Sequence, residues 1–404
     1  MRVQRGGRIL GCDMTIAMRQ EVGAGTAVDG LEWLQLVRSR RVGPATFHRL
    51  MRDHGSAGAA LAALPGIAAA AGVDGYEVCP IGVVRAEAAR GAKLGAHLLL
   101  WGQEGYPAAL MDLPDAPPVL WALGDISLLG RPAVALVGAR NASSLGLRMA
   151  KALAVGLGAA GQVVVSGLAR GIDAAAHQGA LDTGTIAVQA GGLDVIYPEE
   201  NAALSDAIGR QGLRLSEQPF GLQPQARHFP QRNRIVSGLA RAVVVVEAAA
   251  KSGSLITARD GADQGRDVFA VPGHPFDARA AGCNVLIRDG ATLIRSAADV
   301  IEALGLPPAK PAAQRAAGMA EPSAAQPQPQ HQHQPQAKAQ HPALRDIAQL
   351  HAQILNRLGP SPVAEDQLLR DIAAPSGAMG PALVALELDG LILRHAGGLI
   401  SRQG

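Results

Sequence analysis

A doubly wound α/β fold with a mostly parallel sheet is what this sequence predicts, and three observations predict it. Short, largely apolar runs recur between residues 130 and 300: Val134 to Val137, Val163 to Val165, Ile186 to Ala190, Leu213 to Leu215, Val243 to Val246 and Val268 to Val271. Buried parallel strands read this way because both faces of such a sheet are covered. Helical periodicity fills the gaps, as with Leu147, Ala150, Leu153 and Leu157 or the segment Ile172 to Leu181. Alternating strands and helices imply right-handed crossovers. Several runs also end in small residues: Gly138-Ala139-Arg140, Ser166-Gly167-Leu168-Ala169-Arg170-Gly171, Glu247 running into Lys251-Ser252-Gly253-Ser254, and Pro272-Gly273.

In a parallel sheet these turns share the carboxyl edge, where open α/β sheets bind ligands. Small residues let a backbone approach an anion, and helix N-termini aim free N–H groups at it. Arginine or lysine stands beside three of the turns. Together they point to a groove for a polyanion or a nucleotide.

Around this domain, taken as residues 106–305, the chain changes character. Residues 1–28 are expected to be disordered. Residues 29–105 read as a small helical domain: Leu31, Leu34, Leu36 and Val37 share one face, and Val42-Gly43-Pro44 starts a second helix through Phe47, Leu50 and Met51. That turn fits either a helix–hairpin–helix module or, since a second glycine is missing, an ordinary helical bundle. Residues 306–343 are rich in Pro, Gln and Ala around a Gln/His/Pro tract. They cannot bury enough apolar surface to fold and read as a flexible linker. In residues 344–404, Ile347, Leu350, Ile354 and Leu358 make one helix, Ala364 to Ile372 a second and Pro381 to Leu388 a third. Leu391 to Leu393 and Gly397 to Ile400 then suggest a hairpin. Three helices and a β-wing describe a winged helix, and Glu387 and Asp389 make its third helix a candidate for protein contact as much as for DNA reading.

Bulk composition limits the function. The 404 residues are 48% hydrophobic, 18% charged and only 3% aromatic, with a formal charge of +3. A nucleic-acid site must therefore be a local basic patch rather than a basic domain. Cys12, Cys79 and Cys283 show no paired or metal-like spacing, which suits a reducing compartment and a cytoplasmic protein. No apolar stretch of about 18 residues is free of charges and breakers, so no membrane span is expected.

At Ser166-Gly167-Leu168-Ala169-Arg170-Gly171-Ile172-Asp173, with Ala176-His177 behind it, the chain resembles the signature of the DNA-processing protein A family (DprA, or Smf). Gly191-Gly192, Asp194, Tyr197-Pro198 and Asn201 follow in order, then Ser216-Glu217, Pro219, Phe229-Pro230-Gln231-Arg232-Asn233-Arg234-Ile235, Glu247-Ala248, Ser252 to Thr257, Pro272-Gly273, Asn284 and Gly290-Ala291. The likeness is strong over residues 30 to 300 and loose beyond. It implies an extended Rossmann-like domain that binds single-stranded DNA in a positive pocket, loads the RecA recombinase during natural transformation, counters single-strand-binding protein and acts as a homodimer. No enzymatic activity defines the family. Two departures are Ala139, where the family often has Ser or Thr, and Leu193, in place of a common glycine.

Each candidate residue carries a physical reading. Arg140, past a strand end beside Gly138, is placed for a backbone phosphate, which a guanidinium fits as a fork. Ser166, Gly167, Ala169 and Gly171 are expected to present amides, with Arg170 adding charge. Asp173 caps the helix or orders the loop. It lies four residues from His177 on one helix, a structural pair, since no nucleophile stands nearby. Phe229 is either a stacking platform for a base, worth about 1–3 kcal/mol, or a core residue. Arg232 and Arg234, around Asn233, cannot share a helical face, so one reaches the phosphate while the other braces the loop or the dimer. Lys251, Ser252, Gly253, Ser254 and Thr257 at a helix start offer amides and hydroxyls, with Glu247 ordering that loop. The segment lacks Gly-Lys-Ser/Thr, so ATP hydrolysis is unsupported. Gly273 turns beside the same edge, with His274 exposed. No catalytic residue, metal or cofactor is assigned. The alternative is a nucleotide-processing enzyme of the phosphoribohydrolase type, whose Pro-Gly-Gly-x-Gly-Thr run is absent at Pro272-Gly273-His274. A dinucleotide-binding oxidoreductase is poorer still, for want of G-x-G-x-x-G spacing.

Overall fold

The computed structural model describes residues 30–307, 344–372, 376–395 and 397–403. The tract expected to be disordered, 1–28, and all but the first two residues of the 306–343 linker lie outside the described residues. The central element is a sheet of nine strands: β1 (His97–Leu100), β2 (Val119–Gly124), β3 (Ala133–Val137), β4 (Val163–Ser166), β5 (Thr185–Val188), β6 (Leu213–Ser216), β7 (Ala242–Val245), β8 (Asp267–Ala270) and β9 (Thr292–Leu293). Their spatial order is β1-β2-β6-β5-β4-β3-β7-β8-β9. From β6 to β9 every pair is parallel, as the valine runs predict. β1 and β2 close one side as antiparallel strands.

Alternation along the strands builds two apolar layers. Val134 and Leu136 pack with Leu153, Ile172 and Val244 on one face. Ala135 and Val137 pack with Ile235, Val243 and Leu215 on the other. Small residues bring the covering helices close: an added Cβ on Gly179 of the helix Ile172–Ala180 would sit 2.7 Å from the Lys151 carbonyl oxygen of the helix Ser144–Ala159.

β1 corrects the expected boundary. It lies inside the 29–105 stretch that sequence reasoning made wholly helical, yet it pairs with β2 through Leu99 and Leu120. Its four residues are too short to declare a period of two against the neighbouring helical pattern. The helices Gly30–Arg38, Pro44–His54, Ala57–Ala70 and Ile81–Leu94 precede it. Trp33, Phe47 and Leu64 share a cluster with Val119 and Trp121 of β2, so this domain is fused to the sheet. Arg38 donates to both oxygens of Glu87, and Trp121 Nε1 donates to Glu87 Oε1 at 2.8 Å.

The C-terminal domain is a winged helix: helices Leu344–Arg357, Glu365–Ile372 and Ser376–Leu388 with a three-stranded sheet that includes Ile392–His395 and Leu399–Arg402. Arg394 in the wing pairs with Glu365 at 2.6 Å and Glu387 at 2.8 Å. Among the described residues, no helix is long and apolar enough to cross a membrane.

Candidate nucleic-acid interface

Strand order locates the site. Successive strands run from β3 through β4 and β5 to β6 on one side, then return to the other side with β7, β8 and β9. The crevice at this switch, between the carboxyl ends of β3 and β7, is where loops diverge and a ligand fits. A trough of about 780 Å³ opens there. Gly138 to Asn141 after β3, Gly167 and Ala169 after β4, and Ala249 to Ser254 after β7 line it, joined by Phe229, Arg232 and Asn233 from the helix His228–Leu239. Its lining carries Arg140, Arg232 and Lys251 against a single carboxylate, Asp173, together with Arg279, which is paired with Asp277 and Glu247. The trough is therefore cationic although the chain is nearly neutral.

Arg140 is exposed and lies over the Phe229 ring, 4.7 Å from its centroid. Phe229 in turn meets Tyr197 at 5.7 Å. Of the two readings left open for Phe229, the structure favours a half-buried wall residue: it stands between the trough and a smaller cavity of about 220 Å³ that also takes in Tyr197, Gln189 and Arg170. Arg232 lines both cavities while only 6% exposed. Its Nη1 donates to the Val188 carbonyl at 3.2 Å, and its Nε, buried, has no partner. Burial pushes the guanidinium down to about 10 against the opposing pull of Asp173, so it stays charged at neutral pH. A charged guanidinium in the wall of both cavities is well suited to an incoming anion.

The turn after β4 differs from its expected role. Its amides are spent internally: Gly167 N and Ala169 N donate to Asp173 Oδ2 at 3.2 and 3.4 Å, and Ser166 Oγ donates to the Leu136 carbonyl. Asp173 is thus the anion these amides hold, and burial raises its carboxyl pKa. Leu168 sits at φ 56, a rare conformation for a bulky residue. It is fixed from two sides, its N–H donating to His177 Nε2 at 3.3 Å and its carbonyl accepting from Asn201 Nδ2 at 3.0 Å. Gly171 follows at φ 74, where an added Cβ would lie 2.3 Å from the Ala139 carbonyl oxygen.

The His177 proton can be assigned. Thr185 Oγ1 gives its hydrogen to the Val164 carbonyl, so it accepts from His177 Nδ1–H at 2.7 Å, which leaves Nε2 bare for Leu168. A second proton would set donor against donor. Burial, aided by Arg232, lowers this imidazole to about 3. Since the folded value lies below the free value of about 6.5, acid favours the unfolded chain: stability present above pH 6.5 is lost as pH falls towards 3. Buried Asp173 and Glu247, with raised values, act in the opposite sense. The test is therefore a difference. The melting-temperature gap between the wild type and His177→Gln is expected to shrink steadily from pH 7 to pH 4. A gap that stays constant would contradict the neutral, accepting Nε2.

Three further assignments shift. Arg234 turns away from the trough, donating to the Asp115 carbonyl and pairing with Glu217. It is the bracing member of the Arg232/Arg234 pair, as helical geometry separates them. Gly273 lines a separate opening with Glu247 and His274, closed on itself by Asn284. Glu247 accepts from the Ser143 amide and hydroxyl, fixing the loop that carries Arg140 rather than its own. The remaining assignments gather in the trough: Lys251 is exposed, Ser252 and Ser254 share a 2.7 Å hydroxyl contact, and Gly253 and Thr257 sit at the start of the helix Ser254–Asp263, whose first amides donate to Ser252 and Gly253. Arg170 lines the smaller cavity and pairs with Glu200 at 3.2 Å. Sequence reasoning passed over Arg279, Gln189 and, as a contact, Tyr197. Arg279 carries no periodic or glycine signal, because it enters from a loop far along the chain. Among the described residues, no group of three or more His, Cys, Asp or Glu is arranged to hold a metal ion.

Comparison with known proteins agrees with this fold. The family described as DNA recombination-mediator protein A matches residues 97–305, beginning at β1. A DprA-like N-terminal HHH domain matches residues 28–89, and a DprA winged helix domain residues 320–398. The chain is 48% identical over 198 residues to the DNA processing protein DprA of Streptococcus pneumoniae, spanning 48% of this chain and 70% of that one. It is 37% identical over 304 residues to the protein Smf of Synechocystis, spanning 72% and 76%. The X-ray structure of DNA processing protein A from Streptococcus pneumoniae superposes with a TM-score of 0.58 at 37% identity, over 69% of this chain and 98% of that one.

Proposed function

Because the chain belongs to the DNA recombination-mediator protein A family, we propose that its trough holds the backbone of single-stranded DNA and that the protein presents that strand, without chemical turnover, to the RecA recombinase. The observation that carries this reading is the gathering of Arg140, Arg232 and Lys251 around one opening at the sheet's switch point. Gripping phosphates suits mediation, since a recombinase must find the bases free to pair. With 3% aromatic residues, stacking adds little beyond Phe229 and Tyr197, so affinity is mainly electrostatic and largely sequence-blind. The working form we propose is a cytoplasmic homodimer that counters single-strand-binding protein.

Labelled oligo-dT, titrated at several salt concentrations, tests the reading. Neutralising about four phosphates gives a log–log slope near −3. Arg140→Ala is expected to weaken binding about tenfold for every base composition alike. A loss confined to one base would contradict the phosphate assignment. Tighter binding to duplex, or hydrolysis of a nucleoside monophosphate, would remove the reading altogether.

A further inference from the structure

A second opening adjoins the trough, between the central domain and the winged helix. It measures about 690 Å³, a size that takes a small organic ligand and so leaves room for a nucleotide. It is continuous with the trough through Arg140, which lines both, and with the smaller cavity through Arg170 and Glu200. The far wall is the end of the helix Leu344–Arg357, which brings Arg357 opposite Arg140 and Arg170.

The seam between the domains is polar. The winged-helix core of Ile354, Leu358, Leu383 and Ile400 includes no residue of the central domain. Arg279 instead donates to the Asn356 and Leu358 carbonyls at 2.8 and 2.7 Å, and Arg357 Nη1 donates to the Ala142 carbonyl at 3.2 Å. That single bond leaves most of the guanidinium's donors for another acceptor. Two carboxylates share the wall: Glu200 pairs with Arg170, and Asp371 Oδ1 accepts from the Gln367 amide at 2.8 Å while its Oδ2 is buried without a partner. Among the described residues, neither Arg140 nor Arg357 has a carboxylate partner.

We propose that the unpaired strand runs out of the trough past Arg140 into this cleft, where Arg357 of the C-terminal domain grips a further phosphate. The winged helix then joins the DNA site through the end of its first helix, while its third helix, with Leu388 83% exposed and Glu387 beside it, does not line this cleft. This extension rests on the single-strand reading of the trough.

The full-length protein and its Arg357→Ala and Arg357→Lys variants are to be titrated with labelled dT4 and dT12 near 0.1 M salt. Losing one phosphate contact should weaken dT12 binding about fivefold and flatten its salt slope by about 0.7. Binding of dT4, which the trough alone accommodates, should not change, and lysine should restore most of the dT12 affinity. Unchanged or tighter dT12 binding by Arg357→Ala would overturn the proposal. So would equal proportional losses for both lengths, because Arg357 would then act only by propping the Ala142 loop. Failure of the wild type to bind either oligonucleotide removes the trough reading, and this extension with it.

Discussion

Arg232→Ala is expected to lower the unfolding free energy by about 3 kcal/mol, the lower end for stranding a buried charge. Arg232 supplies the largest favourable charge interaction for the buried Asp173 carboxylate. Without it, Asp173 keeps the Gly167 and Ala169 amides but loses its counter-charge, and the 6%-exposed guanidinium leaves a void between β5 and the trough. DNA affinity should fall as well, by about 10–100-fold, because a charge-assisted contact is lost. Denaturant titration followed by tryptophan fluorescence measures the first effect and oligo-dT titration the second. Adding Asp173→Asn to the variant separates the causes: with no charge left to strand, part of the stability should return while DNA affinity stays low. If Arg232→Ala costs less than about 1 kcal/mol, water already reaches Asp173 and the buried-pair account is wrong.

The parts of this molecule legible in its sequence are those governed by local period. Strands β3, β4 and β7 stand out because burial on both faces makes them almost wholly apolar, and glycine marks the places where backbone meets backbone, as at Gly171. β1 and β2 were not legible, because antiparallel pairing at the side of the sheet depends on long-range partners. Within the site, Arg140 and Lys251 stand in the loops that follow β3 and β7. The sequence could not show that Asp173 would consume the amides of its own turn, nor that Arg234 would face Glu217 and Asp115 while Arg232 faced the cavity. Helical geometry requires them to diverge but does not say which turns inward. Arg279 was hidden for another reason: its place beside the trough depends on contacts with Glu247, Asp277 and the C-terminal domain, which come from three separate stretches of chain.

Gly167→Ala should reduce single-strand affinity about 100-fold, by way of Arg232 rather than through any direct contact. An alanine Cβ at position 167 would lie 1.2 Å from Arg232 Nη1 and 2.2 Å from its Cζ. The guanidinium must therefore leave its place, and its surroundings limit where it can go: the Val188 carbonyl holds one side, and the like charge of Arg140 stands near the other. A displaced fork no longer meets the phosphate, which amounts to about 2–3 kcal/mol of binding. Folding should suffer less than in Arg232→Ala, by about 1–2 kcal/mol of overpacking, because the positive charge stays close to Asp173. Gly253→Ala is the matched control. It lies in the same trough, at the helix start beside Lys251, with φ −62, and an added Cβ there meets nothing within 4 Å. Its affinity should stay near that of the wild type. If both glycine variants bind alike, the trough is indifferent to Arg232, and the phosphate must be held at its rim by Arg140 and Lys251 alone. A strong loss at 167 with none at 253 shows instead that the glycine is there to make room for a buried arginine.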